Sequence, residues 1–252
     1  MATARFYCNT DLSVRDAFEL PDAVAHHIRV RRLRVGEEVI LFDGQASQAR
    51  ARLIHVSKSS CQVQIEESGR RSLELSGQIT LVQGMASQDK MDWIIEKATE
   101  LGVARVLAVQ AQRSVVRLSG ERAQRRSAHC QRIVESASEQ CGRNQLMQLL
   151  MPLSLDEAIR QCAGLPMLAC LPDAQTQSLN HEAVLEPIRK QRSCAVFIGP
   201  EGGWDASEQS KLLAAGAIAT SLGARILRTE TAGLAAVAAL TALLDWEPPS
   251  SS

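Results

Sequence analysis

Val196-Phe197-Ile198-Gly199-Pro200-Glu201-Gly202-Gly203-Trp204-Asp205 decides how the chain is read. It works with Leu222-Gly223-Ala224-Arg225-Ile226-Leu227-Arg228-Thr229-Glu230-Thr231-Ala232-Gly233, which follows one helical interval later. Each half reads as a buried strand that runs into a sharp turn and then a helix. A strand that runs into a sharp turn and then a helix exposes backbone N–H groups at the carboxyl end of a sheet, where α/β proteins bind ligands. Neither turn matches Gly-x-Gly-x-x-Gly or the phosphate loop that ends in Gly-Lys-Ser/Thr, so both nucleotide fingerprints are absent. By itself, Gly199-Pro200-Glu201-Gly202-Gly203 also fits an ordinary turn, with Gly supplying positive φ and Pro a fixed φ. Thr229 and Glu230 are likewise readable as a helix cap and an acid that complements the helix dipole.

Working outward, strands and helices alternate from Gln78 onward. Ile79–Gln83 reads as a strand, and 88–101 as a helix whose Met91, Ile94, Ile95, Ala98 and Leu101 share one face. The alternation continues through 106–109, 120–141, 155–162, 167–171, 195–198, 207–215, 217–221 and 229–245. Ser154-Leu155-Asp156-Glu157 and Asp205-Ala206-Ser207-Glu208 have the capping-box layout, and Gly142 is placed to end the long middle helix. Such alternation predicts an α/β fold with a mostly parallel sheet covered by helices.

The first third is different. Strands are expected at 5–9, 38–42, 49–56 and 61–66, with one helix at 22–33, and β-branched residues and turn chemistry at Asp43-Gly44 make this a small β-barrel-like domain. Glu67-Ser68-Gly69-Arg70-Arg71-Ser72 is polar and reads as the linker. The domains are therefore 1–72 and 73–247, followed by a disordered tail at 248–252.

Composition narrows the function. The 252 residues are 45% hydrophobic, and Lys+Arg equals Asp+Glu at 28 each, so any nucleic-acid surface must be local. The seven cysteines are scattered with no C-x-x-C pair, which suggests neither a disulfide framework nor a metal site and favours a cytoplasmic location. No signal peptide or membrane span is expected, and the apolar run 232–244 reads as a buried or subunit-interface helix. The local basic surface is His26-His27-Ile28-Arg29-Val30-Arg31-Arg32-Leu33-Arg34, in which Arg29, Arg31, Arg32 and Arg34 fit phosphate docking or a solvated helix face. Arg122, Arg125, Arg126 and Arg132 of the middle helix carry the same two readings. Aromatics are only 3% of the chain, which argues for contact with RNA shape and phosphates over base stacking. Lys97 and Glu100 read as a helix-surface ion pair.

The two glycine turns, Lys97-Ala98-Thr99-Glu100-Leu101-Gly102-Val103, Glu139-Gln140-Cys141-Gly142-Arg143, Leu33-Arg34-Val35-Gly36-Glu37 and Phe42-Asp43-Gly44 together carry a resemblance that spans nearly the whole chain. The sequence resembles the SPOUT superfamily of S-adenosylmethionine-dependent RNA methyltransferases, and within it the RsmE family, which methylates N3 of a uridine in 16S ribosomal RNA. The resemblance implies a mostly parallel SPOUT sheet with a C-terminal trefoil knot, a PUA-like RNA-binding barrel before it, and a homodimer that acts on 16S ribosomal RNA in the assembled small subunit. Without it, an unknotted Rossmann-like sheet is the expectation.

The cofactor-contacting positions implied are Leu171, Pro172, Gly199, Glu201, Gly202, Leu222, Gly223, Leu227, Arg228, Thr229 and Ala232, with no metal. The adenine needs an apolar slot edged by backbone groups, and the sulfonium must be aimed at its acceptor. Uracil N3 must lose its proton to attack. Arg143 and Arg113, with Arg228, are the candidate cations for the charge that spreads onto the carbonyl oxygens, and Glu139 or Glu201 the candidate proton acceptor. Two other classes stay open beside a methyltransferase: a noncatalytic RNA-binding protein that keeps the fold, and an α/β enzyme that uses a dinucleotide.

Overall fold

The computed structural model describes residues 3–13, 17–171 and 176–247. The tail 248–252 and Pro172 fall outside these residues. The chain divides into two compact units, one of Met1–Leu73 with Glu135–Leu146, the other of Glu74–Val134 with Met147–Ser252.

The first unit contains β1 (Ala4–Tyr7), β2 (Ala17–Glu19), α1 (Asp22–Val30), β3 (Glu38–Phe42), β4 (Ser47–Val56) and β5 (Cys61–Arg70). They form a five-stranded sheet in the order β1-β3-β4-β5-β2, parallel only at β1 and β3. Alternate residues Ala49, Ala51 and Leu53 of β4 and Cys61, Val63 and Ile65 of β5 point into one core, which Val24, Ala25 and Ile28 of α1 close. The expected linker is corrected here. β5 continues to Arg70, which pairs with Ser47, so 67–70 is strand and not connection. Its polar residues are exposed strand positions, which composition alone does not separate from a loop. β2 has three residues and sits at the sheet edge, too short to leave a period-two signal.

The second unit runs β6 (Gln78–Gly84), α2 (Gln88–Glu100), β7 (Arg105–Val109), α3 (Gly120–Cys141), β8 (Gln148–Leu153), α4 (Leu155–Gln161), β9 (Met167–Cys170), β10 (Gln177–Ser178), α5 (Glu182–Gln191), β11 (Ser193–Ile198), α6 (Ala206–Ala214), β12 (Ile218–Ser221) and α7 (Thr229–Leu243). The last residues of α3, from Glu135, group with the first unit. The sheet order is β10-β12-β9-β11-β6-β7-β8, with every strand pair parallel. Central strands β6 and β11 are buried from Ile79 to Gly84 and from Cys194 to Ile198, because helices cover both faces. β8, β10 and α5 were not anticipated. β8 holds Pro152 at the sheet edge, β10 has two residues, and Pro187 lies inside α5, whose apolar face of Val184, Leu185 and Ile188 outweighs the lost hydrogen bond.

Both expected capping boxes are present. Ser154 and Asp205 accept from the first turns of α4 and α6, while Glu157 and Glu208 reach back to the cap amides. Gly142, at φ +90°, follows the end of α3.

Two glycines set how the first glycine turn and α7 meet the sheet. A β-carbon on Gly84, the last residue of β6, would lie 2.5 Å from Pro200 Cδ, so only glycine lets the 199–203 turn cross that strand end. A β-carbon on Gly233 would come 3.2 Å from Leu81 Cδ1, which places the backbone of α7 close against β6. α7 buries Thr229, Gly233, Ala236, Val237 and Leu240 along one stripe and packs on β6, β11 and α2. Burial of Val237 and Leu240 contributes about 1.5–3 kcal/mol each.

Candidate active site

Consecutive strands leave β6 toward β7 on one side, while β11 and β9 lie on the other. Ligands in open parallel sheets bind where the strand order reverses, beyond the carboxyl ends of the strands. The cleft found there has a volume of about 650 Å³. Its walls come from the segments that follow β9 (Cys170, Leu171), β11 (198–204) and β12 (220–229), with Ala232 of α7, Lys90 of α2 and Arg113 beyond β7.

Of the eleven positions expected at the cofactor, Leu171, Gly199, Glu201, Gly202, Leu222, Gly223, Leu227, Arg228, Thr229 and Ala232 all line this one cleft. They come from three loops far apart in sequence. Leu171 is nearly buried, and with Ile198 and Leu222 it supplies apolar wall. The stretch from Gly223 to Ile226 is exposed at the lip, and Gly223 has φ +108° with open space where a β-carbon would stand.

Thr229 is not the cap of α7. The cap position is Arg228, and no side chain closes it. Instead the Thr229 hydroxyl donates to the Gly199 carbonyl oxygen at 2.6 Å and accepts from the Gln83 side-chain amide at 2.8 Å. Gln83 is fully buried near the end of β6, so this relay ties a central strand to the 199–203 turn and to the start of α7. Reasoning from sequence missed Gln83, because a single Gln in an apolar strand carries no motif.

Glu201 accepts from the Ser87 amide at 3.1 Å and faces Lys90 Nζ at 3.4 Å. Burial works to raise its carboxyl, but the Ser87 N–H and the Lys90 ammonium outweigh this and hold it below the ordinary carboxylate value. Lys90 was also missed. It occupies a polar position in the first turn of an amphipathic helix, and only the adjacency of β6 and β11 brings it to the cleft.

Arg113 lines the cleft. One guanidinium nitrogen donates to the Gly202 carbonyl at 3.2 Å and the other lies 3.6 Å from Asp205. Arg143 and Glu139 belong to the first unit and are not among the lining residues. Arg143 is only 4% exposed. Glu139 accepts from the Tyr7 amide at 3.0 Å and faces His27 at 4.0 Å. Burial raises its carboxyl above the usual value, against the lowering pull of that amide and of His27, Arg31 and Arg5.

Of the basic run, Arg31, Arg32 and Arg34 are exposed and Arg29 is partly buried. The Arg31 guanidinium lies over the Phe6 ring at 5.4 Å. On α3, Arg125 pairs with Glu121 and Arg126 with Asp92, which accounts for two of the four middle-helix arginines without RNA. Lys97 and Glu100 form the expected helix-surface pair at 2.7 Å. Among the described residues no group of three or more His, Cys, Asp or Glu is placed to hold a metal ion, and no helix is long and apolar enough to cross a membrane.

Comparison with known proteins agrees with this architecture. Residues 73–241 match the model of an RNA methyltransferase domain, and residues 20–66 that of an RNA methyltransferase PUA domain. A ribosomal RNA small subunit methyltransferase E from Bacillus subtilis is 30% identical over 230 residues, which are 89% of each chain. One from Synechocystis is 31% identical over 90% of this chain and 73% of its own. The crystal structure of a ribosomal RNA small subunit methyltransferase E from Neisseria gonorrhoeae bound to S-adenosyl methionine superposes with a TM-score of 0.89. It shares 37% identity and covers 96% of this chain and 98% of that one. The parallel sheet, the preceding PUA domain and the matched relatives along nearly the whole length make one conclusion plain: this chain belongs to the ribosomal RNA small subunit methyltransferase E family.

Proposed function

We propose that this protein transfers a methyl group from S-adenosylmethionine to N3 of a specific uridine in 16S ribosomal RNA. One observation carries the proposal: three loops that are remote in sequence converge on a single cleft, and they bring the cofactor-type positions together. A structural relative with 37% identity is bound to S-adenosyl methionine.

The residues present fit that cofactor. Leu171, Ile198, Leu222, Leu227 and Ala232 offer apolar surface for a flat heterocycle, and the bare backbone at Gly223 offers an unobstructed edge. Glu201, held ionised, complements a positively charged ligand. When bound, the cofactor supplies an electrophilic methyl group on a sulfonium. The protein's part is to hold the acceptor in line and to manage its proton.

Arg113, at the cleft wall, is assigned to the negative charge that develops on the uracil carbonyl oxygens. Arg143 is assigned the same role and Glu139 the N3 proton, on the strength of the family resemblance. A carboxylate whose pKa is raised by burial is a stronger base than an ordinary one. The exposed Arg31, Arg32 and Arg34, with Arg29, are assigned to RNA phosphates.

The same reading takes 1–72 as the RNA-binding domain and 73–247 as the methyltransferase domain. It also takes the protein as a cytoplasmic homodimer acting on the assembled small subunit, with a trefoil knot. The knot is supported by the path of the chain. β12 lies beyond β9 from the sheet centre, yet α7, which follows it, packs back on β11 and β6.

The test is mass spectrometry of 16S ribosomal RNA from a strain that lacks the protein, together with methylation of that strain's small subunits by the purified enzyme. Loss of one N3-methyluridine and its restoration in vitro are expected. An unchanged methyluridine profile would overturn the assignment. Arg113→Ala and Arg143→Ala should each lower kcat by about 100-fold or more if they stabilise the transition state.

A further inference from the structure

We infer that Lys90 is a positioning residue for the methyl-donor site, an inference that rests on the cofactor reading above. Its ammonium clamps together the two turns that wall the cleft.

Lys90 stands in the first turn of α2 and lines the cleft with 30% of its side chain exposed. Its Nζ lies 3.4 Å from Glu201 Oε1 in the glycine turn and 3.5 Å from Glu230 Oε2 in the first turn of α7. These carboxylates belong to the segments that follow β11 and β12. Three elements thus meet at one cation. Glu230 Oε2 is buried and has no hydrogen-bond partner, so at 3.5 Å the lysine acts on it as a charge and not as a donor. Glu201 has a second anchor, the Ser87 amide at the cap of α2. Loss of the lysine would remove the cation that both carboxylates face, at 3.4 and 3.5 Å, and leave their mutual repulsion unscreened by it. The turn that carries Gly199 and Gly202 and the turn that carries Arg228 and Thr229 would then separate. The Thr229–Gly199 hydrogen bond opposes that movement from the far side of the relay, through Gln83.

Lys90 would therefore act on cofactor binding through the turns. It is not required for the proton or for RNA docking. In Lys90→Met, the Kd and KM for S-adenosylmethionine are expected to rise about tenfold. The kcat at saturating cofactor should stay within about twofold of wild type, and the KM for small subunits should be unchanged. Lys90→Arg, which restores a cation, should recover most of the affinity. Lys90→Met combined with Glu230→Gln should bind better than the single effects predict, because one of the repelling charges is gone.

Calorimetric titration of the full-length variants with S-adenosylmethionine, steady-state kinetics and thermal melting read these effects. Wild-type affinity in Lys90→Met overturns the inference. So does a Lys90→Met defect confined to kcat, or one that Lys90→Arg does not repair. If wild-type protein bound no S-adenosylmethionine, the cofactor reading would fail and the inference with it. If Lys90→Met melts too early to titrate, Glu230→Gln paired with Lys90→Arg tests the same contact, and additive effects count against the clamp.

Discussion

The hydroxyl of Thr229 and the carbonyl of Gly199 share a hydrogen bond of 2.6 Å across 30 residues of sequence. The bond joins the first turn of α7 to the turn after β11. Because Gln83 donates to the same hydroxyl, β6 is joined to both. A residue that sequence reads as a helix cap is in fact a fastener between the two walls of the cleft.

Thr229→Val keeps the shape and removes the hydroxyl. It takes one of two acceptors from the buried Gln83 amide, which still donates to the Gly84 carbonyl, and removes the donor to the Gly199 carbonyl, a loss of about 1–3 kcal/mol. Urea denaturation should show that loss, and titration should show weaker S-adenosylmethionine binding. Unchanged stability and affinity would mean that the relay does not hold the turns.

Gly84→Ala sets a β-carbon against Pro200, where backbone and ring have no room to yield. Overpacking of this kind costs about 1–3 kcal/mol. The displaced part would be the 199–203 turn, so cofactor affinity should fall along with Tm. A variant with wild-type affinity would show that the turn tolerates displacement.

Replacement of Arg31, Arg32 and Arg34 by Ser removes three exposed cations from the end of α1 and the segment after it. If they contact phosphates, affinity for small subunits should weaken, and the slope of log affinity against log salt should flatten by up to about 2. Arg125→Ser, at a residue paired with Glu121, is the control and should leave the slope alone. An equal slope in the triple variant would remove this face from RNA docking.

Glu139 links stability to pH. Its folded carboxyl titrates above the ordinary value, so the folded state holds the proton more tightly than the unfolded chain does. The resulting stabilisation is fully present below the unfolded carboxylate pKa and is lost as pH rises through the folded one. Glu139→Gln cannot titrate but keeps an oxygen for the Tyr7 amide. Its stability should fall less than that of wild type as pH rises through and above the ordinary carboxylate range. If Glu139 also accepts the N3 proton, the same variant should lose activity although it stays folded. Parallel pH profiles for the two proteins would count against the raised carboxyl.

Much of the fold was legible because its signals are local. The bounds of β3 and α3 were read as they stand, and both capping boxes sat at their expected positions. The misses have local causes. β2, β8 and β10 are edge strands, where neighbours on one side only leave little hydrophobic pattern, and α5 contains Pro187. At Glu67-Ser68-Gly69-Arg70 exposed strand and loop have the same composition, and only pairing with β4 tells them apart.

For the site the division is sharper. Sequence by itself determined that the first glycine turn ends a buried strand and leads into a helix, because φ preference, apolar runs and capping chemistry are properties of a few adjacent residues. The buried strand expected in the second half is corrected: β12 stops at Ser221 with only Thr220 buried, and 222–228 is irregular backbone at the cleft. Motifs in order along the chain added the family. Tertiary structure alone decided that these turns face each other. The order β12-β9-β11-β6 is a matter of long-range pairing between strands, and it brings Lys90 to the cleft, Gln83 to Thr229 and Glu230 to Lys90; Lys90 and Gln83 stand at positions that carry no motif. A side chain's partner across a sheet depends on which strands lie side by side, and that is settled by the burial of whole faces and not by neighbours in sequence.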